Sequence, residues 1–165
     1  MKDPDLSTLL INRICHDLSS SVGAAINGLE LIDDAINEDE KDDYFDLINK
    51  AIRQAGEQVK YYKIAFGLSV KNLEFDSLKK HIYSFFKNSR FDVELPEEEL
   101  GNSDNLIVYS LLLNMLLIAK ENIPLGGKLK VNKTECFFEI EAIGNKIIFD
   151  KENFEKLSGL ESNNE

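Results

Sequence analysis

The chain has 165 residues, of which 43% are hydrophobic and 30% charged, and its formal net charge is -11. That length supports one ordinary soluble domain or two small ones. The acidity argues against nucleic acid as a partner, since phosphates would be repelled over most of the surface, and points to proteins and small molecules. No apolar run reaches the roughly 18 residues of a membrane span, because residues 106–119 are interrupted by Ser110 and Asn114. The N-terminus lacks a basic region followed by an apolar core, so no secretory signal is expected. Cys15 and Cys136 form no CxxC pair. Two isolated cysteines point to reduced thiols in a cytoplasmic protein.

The first predicted element is a long helix over residues 6–36, with Asp3 as N-cap and Pro4 at its first position. Ile11, Ile14, Leu18, Val22, Ala25, Leu29, Ile32 and Ile36 fall at steps of three and four, as one helical face requires. His16 lies two residues from both Ile14 and Leu18, which turns it away from that stripe. Residues 37–43 read as a polar turn. A second helix follows, with Phe45, Ile48, Ile52, Ala55, Val59, Tyr62 and Phe66 at heptad spacing. A short turn makes the two an antiparallel hairpin. Two helices cannot enclose a core alone, and Leu9, Leu10, Leu31 and Ala35 widen the first stripe, so a dimeric four-helix bundle is expected.

After Gly67 the pattern changes. Residues 72–76 alternate like a short strand, and 77–88 resume helical spacing through Leu78, Ile82, Phe85 and Phe86. A strand is predicted over 91–95, ended by Pro96 and the acidic residues 97–99. Residues 104–122 form a helix apolar nearly all round, expected to be the most buried element. Pro124 and Gly126-Gly127 break it. Strands are predicted at 128–132, 136–142 and 146–149, with tight turns at 133–135 and 144–145. From Lys151 a weak helix leads to a disordered tail at 161–165. The fold class is α+β. Residues 1–69 form the hairpin and 70–160 an α/β layer domain, ordered β-α-β-α-β-β with helices on one face of a mixed sheet.

Around His16 the helical neighbours are Asn12 and Arg13 one turn before, Ser19 and Ser20 one turn after, and then Gly23 and Asn27. These small and polar groups would let another protein's backbone approach the imidazole closely, on a helix that gives up propensity at Gly23 and Gly28. No second His, Cys or carboxylate stands at metal-ligand spacing. A solvated face with an incidental histidine is the plainer reading of these residues alone.

The run Arg13-Ile14-Cys15-His16-Asp17-Leu18-Ser19-Ser20-Ser21-Val22-Gly23-Ala24, continuing through Asn27-Gly28-Leu29-Glu30-Leu31-Ile32, resembles the phosphorylation helix of ChpT-type histidine phosphotransferases. That resemblance implies a dimeric hairpin followed by a degenerate domain like the histidine-kinase ATPase, an order that agrees with the layout above. It also implies that the family's second domain continues past this chain's end. Where the family pattern would place proline, five residues after the histidine, this chain has Ser21.

Residues 114–127 resemble the kinase stretch in which two asparagines stand four apart before a Gly-Gly turn. Asn114 matches the first, but Ile118 replaces the second, which holds Mg²⁺ in kinases and needs an oxygen. Where Asp-x-Gly-x-Gly should follow, residues 139–146 keep one glycine and no aspartate, and no phosphate-cradling loop comes later. ATP binding is not expected.

The resemblance therefore implies phosphoryl transfer without nucleotide. His16 is the phosphoacceptor, taking the phosphoryl group from a receiver-domain aspartate of a CckA-like hybrid kinase and passing it to CtrA- and CpdR-like response regulators. A side chain of pKa near 6.5 supplies a neutral nucleophile at cellular pH. Asp17 is expected to fix the ring tautomer, and Arg13 to steady the phosphoryl group or pair with Asp17. Asn12, Ser19, Ser20, Gly23 and Asn27 form the docking face. The chain needs no cofactor of its own, because Mg²⁺ comes with the receiver's carboxylates. His81 is expected to be incidental. Two rival functions are a non-catalytic dimeric adaptor that docks or sequesters regulators, and an ATP-dependent histidine kinase.

Overall fold

The computed structural model describes residues 6–68, 73–87, 89–98, 105–134 and 138–148. The predicted N-cap at Asp3, Pro4, the helix from Lys151 and the tail at 161–165 lie outside them. Two long helices come first, α1 (Leu6–Asp33) and α2 (Glu38–Ala65). Asn37 fixes where the hairpin turns: its side chain accepts from the Glu40 backbone at 2.9 Å, while the Glu40 carboxylate accepts from the Ile36 backbone at 3.0 Å. This reciprocal cap, with Glu38, Asp39 and Glu40 on the positive end of the helix, starts α2 inside the stretch expected to be a turn. α1 stops at Asp33 rather than near Ile36, and Ile36 is 89% exposed. At the far end, Gly67 has φ of +67°, Leu68 N–H reaches Lys63 O at 2.8 Å and Gly67 N–H reaches Ile64 O at 3.0 Å. These are the two bonds of a Schellman cap, and they need a left-handed residue at Gly67.

Where α1 packs on α2, Ala25, Ile48 and Ala51 form the buried centre. A Cβ on Gly28 would stand 2.7 Å from Ile48 Cγ1, so this glycine is explained by the packing of α2. Ser21 and Gln58 are also buried, and the Ser21 hydroxyl donates to Gln58 Oε1 at 3.0 Å. The position where the resemblance called for proline therefore carries a buried interhelical hydrogen bond, which proline could not make.

The last turns of α2 belong to a different core. Tyr61, Tyr62, Ile64 and Ala65 cluster with α3 (Phe75–Phe86), α4 (Asn105–Asn122) and the inner face of a three-stranded sheet. Tyr61 is fully buried, stacks on Phe85 at 4.0 Å between ring centroids and donates to Leu113 O at 2.9 Å. Ser110 and Asn114 of α4 both donate to Ala65 O, at 2.5 and 2.7 Å, holding the end of α2 onto α4. α4 buries Tyr109, Leu112, Leu113 and Leu116 fully, but it is not buried all round as its apolar sequence suggested, since Ile107, Leu111 and Ile118 are exposed on its outer side.

The strands are β1 (Phe91–Glu94), β2 (Gly127–Lys133) and β3 (Phe138–Ile143), with β2 between a parallel β1 and an antiparallel β3. Val93, Leu129, Val131, Ile140 and Ala142 pack against the helices, while Glu94, Lys128, Lys130 and Glu141 alternate on the other face. Gly126-Gly127 makes the predicted break at φ +90° and +147°, where a Cβ on Gly126 would meet Arg90 O at 2.4 Å.

Two predicted strands are corrected. Leu73 and Glu74 are irregular, and Phe75 and Asp76 already form the first turn of α3. A two-residue alternation is also the start of a 3-4 pattern, and here Phe75, Leu78 and Ile82 continue it. Residues 146–148 form no strand either. Ile148 N–H donates to Asn122 O at 2.7 Å, so this segment returns to the end of α4 instead of pairing with β3.

Candidate functional site

His16 lies midway along α1 with its side chain 85% exposed. At 100° per residue, Asn12, Ser19, Ser20, Gly23 and Asn27 fall within about 60° of it. All are exposed except Gly23, which is half-buried and has nothing within 4 Å of where a Cβ would stand. The face expected to receive a partner is thus open in this chain, and Gly23 is not a contact point for α2.

The next residue behaves differently. Asp17 is turned toward the body of the protein, its side chain 17% exposed. Oδ1 lies 3.4 Å from His16 Nδ1. Oδ2 accepts from the Tyr62 hydroxyl at 2.6 Å and lies 3.5 Å from Lys120 Nζ. Burial acts to raise the Asp17 carboxyl. The Tyr62 hydrogen bond, the Lys120 charge, the His16 hydrogen bond and the Arg13 charge outweigh it and hold the group below its ordinary value. Asp17 is therefore an anion throughout the physiological range. An anion can only accept, so a neutral imidazole that bonds to Oδ1 does so through Nδ1–H, and its Nε2 lone pair is then free.

Tyr62 shows the reciprocal effect. Burial, then the hydrogen bond to Asp17 and its negative charge, push the phenol well above its ordinary value, so it stays a donor. Lys120 is displaced the other way, lowered by burial and by the Arg13 charge while Asp17 opposes. Its ammonium also stands 5.4 Å from the centroid of the Phe85 ring.

Arg13 forms no ion pair with Asp17: Nη2 donates to Leu117 O at 3.1 Å and Nη1 meets Glu121 at 2.6 Å. The carboxylate one turn away is already taken by Tyr62 and Lys120, and α4 offers Arg13 a carbonyl and a second carboxylate. Arg13 and Asp17 together tie one face of α1 to one face of α4.

Tyr62, Lys120 and Glu121 were not singled out by the sequence reading. They reach the site from 45 to 108 positions away along the chain, and only Tyr62 belonged to a pattern, as a heptad apolar residue. His81 stands on α3, 4.0 Å from Glu57 and apart from this cluster. Among the described residues, no group of three His, Cys, Asp or Glu side chains could hold a metal ion, and no helix is long and apolar enough to cross a membrane.

The site is a solvent-facing histidine beside a largely buried carboxylate on a helical hairpin, with an α/β layer behind it. The family model for the histidine phosphotransferase C-terminal domain matches residues 75–165, and the chain belongs to that family. It is 35% identical over 130 residues to the protein phosphotransferase ChpT of Brucella abortus (strain 2308), an alignment covering 77% of this chain. The chain spans about 60% of the length of that relative. A solved structure of a bacterial phosphotransferase matches with a TM-score of 0.70 and 29% sequence identity, over 96% of this chain and 77% of the other.

Proposed function

We propose that this chain is a phosphorelay histidine phosphotransferase. His16 accepts a phosphoryl group from the aspartyl phosphate of one receiver domain and passes it to the aspartate of another. The observation that carries the reading is the His16–Asp17 pair: an exposed imidazole whose Nδ1 lies 3.4 Å from a carboxylate held as an anion, which favours a proton on Nδ1 and a free Nε2. The Nε2 lone pair attacks phosphorus as the bond to the donor aspartate's oxygen breaks, and the donor carboxylate leaves as an anion. Positive charge develops on the ring and is met by Asp17. The return step to a second receiver is the same displacement in reverse, which suits a relay.

Nucleotide has no part in this reading. Asn114, the one kinase-like asparagine present, spends its amide on Ala65 O and Ser110 O, and Ile118 beside it offers no oxygen. Mg²⁺ would arrive with the receiver's own carboxylates and screen the transferring charge. The partners are a hybrid kinase's receiver domain as donor and response-regulator receivers as acceptors, docking over Asn12, Ser19, Ser20, Gly23 and Asn27. The chain works as a dimer in the cytoplasm.

The test is transfer of labelled phosphate from a charged receiver. Wild type should acquire acid-labile phosphate, and His16→Gln should acquire none while keeping its fold, since exposed helical substitutions usually change stability by about 0.5 kcal/mol or less. Transfer persisting in that variant sinks the assignment. Docking without transfer by the wild type would favour the adaptor, and calorimetric ATP binding would favour the kinase.

A further inference from the structure

His16 is on the hairpin, but the group that sets its carboxylate partner comes from α4. Asp17 has two oxygens with separate duties. Oδ1 faces His16 Nδ1 at 3.4 Å, and Oδ2 is held from behind by Tyr62 at 2.6 Å and Lys120 at 3.5 Å. A lone aspartate on a helix surface samples several rotamers, and its charge would repel an incoming phosphoryl group. Lys120 acts on both counts. Its ammonium pins the oxygen turned away from His16 and balances the carboxylate charge close to where a phosphoryl dianion must arrive.

Lys120 is itself fixed for this task. Its side chain is 23% exposed and its ammonium faces the Phe85 ring. The neighbouring carboxylate, Glu121, is taken by Arg13 at 2.6 Å. Around Lys120 the charged and titratable groups are Asp17, Arg13, Glu121 and Tyr62, and among them Asp17 is its ion-pair partner. The Arg13 anchor on Leu117 O and Glu121 holds α1 against α4 one turn from where Lys120 meets Asp17.

We infer that Lys120 is a positioning residue of the phosphoacceptor site, acting through Asp17 to hold His16 in the Nδ1–H tautomer that leaves Nε2 reactive. The inference rests on the phosphoacceptor reading of His16. It gives α4 a role in phosphoryl transfer that involves no nucleotide and no contact between Lys120 and the transferred group.

The experiment has two arms on the full chain. The first is ¹⁵N NMR of the His16 ring without any partner. Free histidine favours the Nε2–H tautomer, so wild type should show Nδ1–H enriched, Lys120→Met should move it back toward the free distribution, and Lys120→Arg should stay near wild type. The second arm is single-turnover acceptance from a receiver domain charged with acetyl phosphate. Lys120→Met should slow the saturating rate at least tenfold, with the half-saturating receiver concentration moved less than about twofold, and Lys120→Arg should recover most of the rate. Against an Asp17→Asn background the same Lys120→Met change should cost less than twofold, because its intermediary is gone.

An equal loss in both backgrounds means that Lys120 acts on the receiver, the phosphoryl group or the fold directly, and overturns the proposal. So do unchanged tautomers and rates in Lys120→Met. If that variant fails to fold, Lys120→Gln carries the same comparisons. A wild type that accepts no phosphate overturns the underlying reading instead, while the tautomer arm still decides whether Lys120 governs His16.

Discussion

At the scale of single residues, the two glycines of α1 make opposite predictions. Gly23 opens onto empty space, so Gly23→Leu should keep or slightly raise the melting temperature, since glycine in mid-helix is about 1 kcal/mol worse than alanine. It should nonetheless slow acceptance from a receiver at least tenfold, because the added side chain stands on the face beside His16. Gly28 is the reverse case. A Cβ there meets Ile48 Cγ1 at 2.7 Å, and Gly28→Leu should overpack the hairpin by about 1–3 kcal/mol in thermal unfolding. A destabilised Gly23→Leu with normal transfer would remove the docking assignment. Asp17 supplies a pH test whose sign is fixed by its depressed carboxyl. The stabilisation it contributes is complete above its unfolded value near 4 and drains away as pH falls through the folded value. Melting temperatures of wild type and Asp17→Asn should differ at neutral pH and converge as pH falls from about 5 toward 2. A gap of constant size would mean that the charge on Asp17 does not stabilise the fold. His16, Asp17 and the small face beyond them were legible because they lie within four turns of one helix. Tyr62 and Lys120 were not, since nothing local marks a heptad tyrosine or a lysine near a helix end as partners of a distant aspartate.

Among the elements, α1 and α2 were readable as helices because a 3-4 pattern sustained over some 25 residues admits no other period. Their ends were less so. The start of α2 depends on the reciprocal hydrogen bonds of Asn37 and Glu40, which outweigh the polar character of the residues between them. The two strand errors share one cause, in that four or five alternating residues fit a helix entry or an irregular return as well as a strand. The pairing of α1 with α2 carries its own prediction. Ser21 and Gln58 satisfy each other in a buried contact. Gln58→Leu leaves the Ser21 hydroxyl without that acceptor and should cost about 1–3 kcal/mol in chemical denaturation. Adding Ser21→Ala should recover much of the loss, because removing both polar partners of a buried pair is far milder than removing one. A double variant no more stable than Gln58→Leu would show that the hydrogen bond is not what the pair contributes.

For the whole molecule, the hairpin leaves apolar surface that one chain does not cover. On α1, Ile11, Val22 and Leu29 are 49–58% exposed, and their spacings of 11 and 7 keep them on one line. On α2, Phe45, Ile52 and Val59 repeat at seven and are 43–59% exposed. The apolar stripes read from the sequence are therefore split, one edge closing the hairpin on itself and the other facing outward. This is the face that the proposed dimer would use, with a second hairpin packed on it to complete a four-helix bundle. That arrangement keeps His16 accessible, because its position on α1 is about 120–140° around the helix from the Ile11–Val22–Leu29 line. Leu29→Asp places a carboxylate in the centre of that surface and should convert the dimer to monomer in sedimentation equilibrium, at a cost of several kcal/mol if the charge is left unpaired. Ile107→Asp is the matched control, introducing the same charge at a residue of α4 that is 79% exposed, and it should leave the assembly unchanged. Because His16, Asp17, Tyr62 and Lys120 all belong to one chain, the monomeric variant should still accept phosphate on His16 from a receiver that contacts a single protomer. Loss of acceptance in a folded monomer would mean that receivers read both halves of the bundle. A dimer that survives Leu29→Asp would place the interface on another surface.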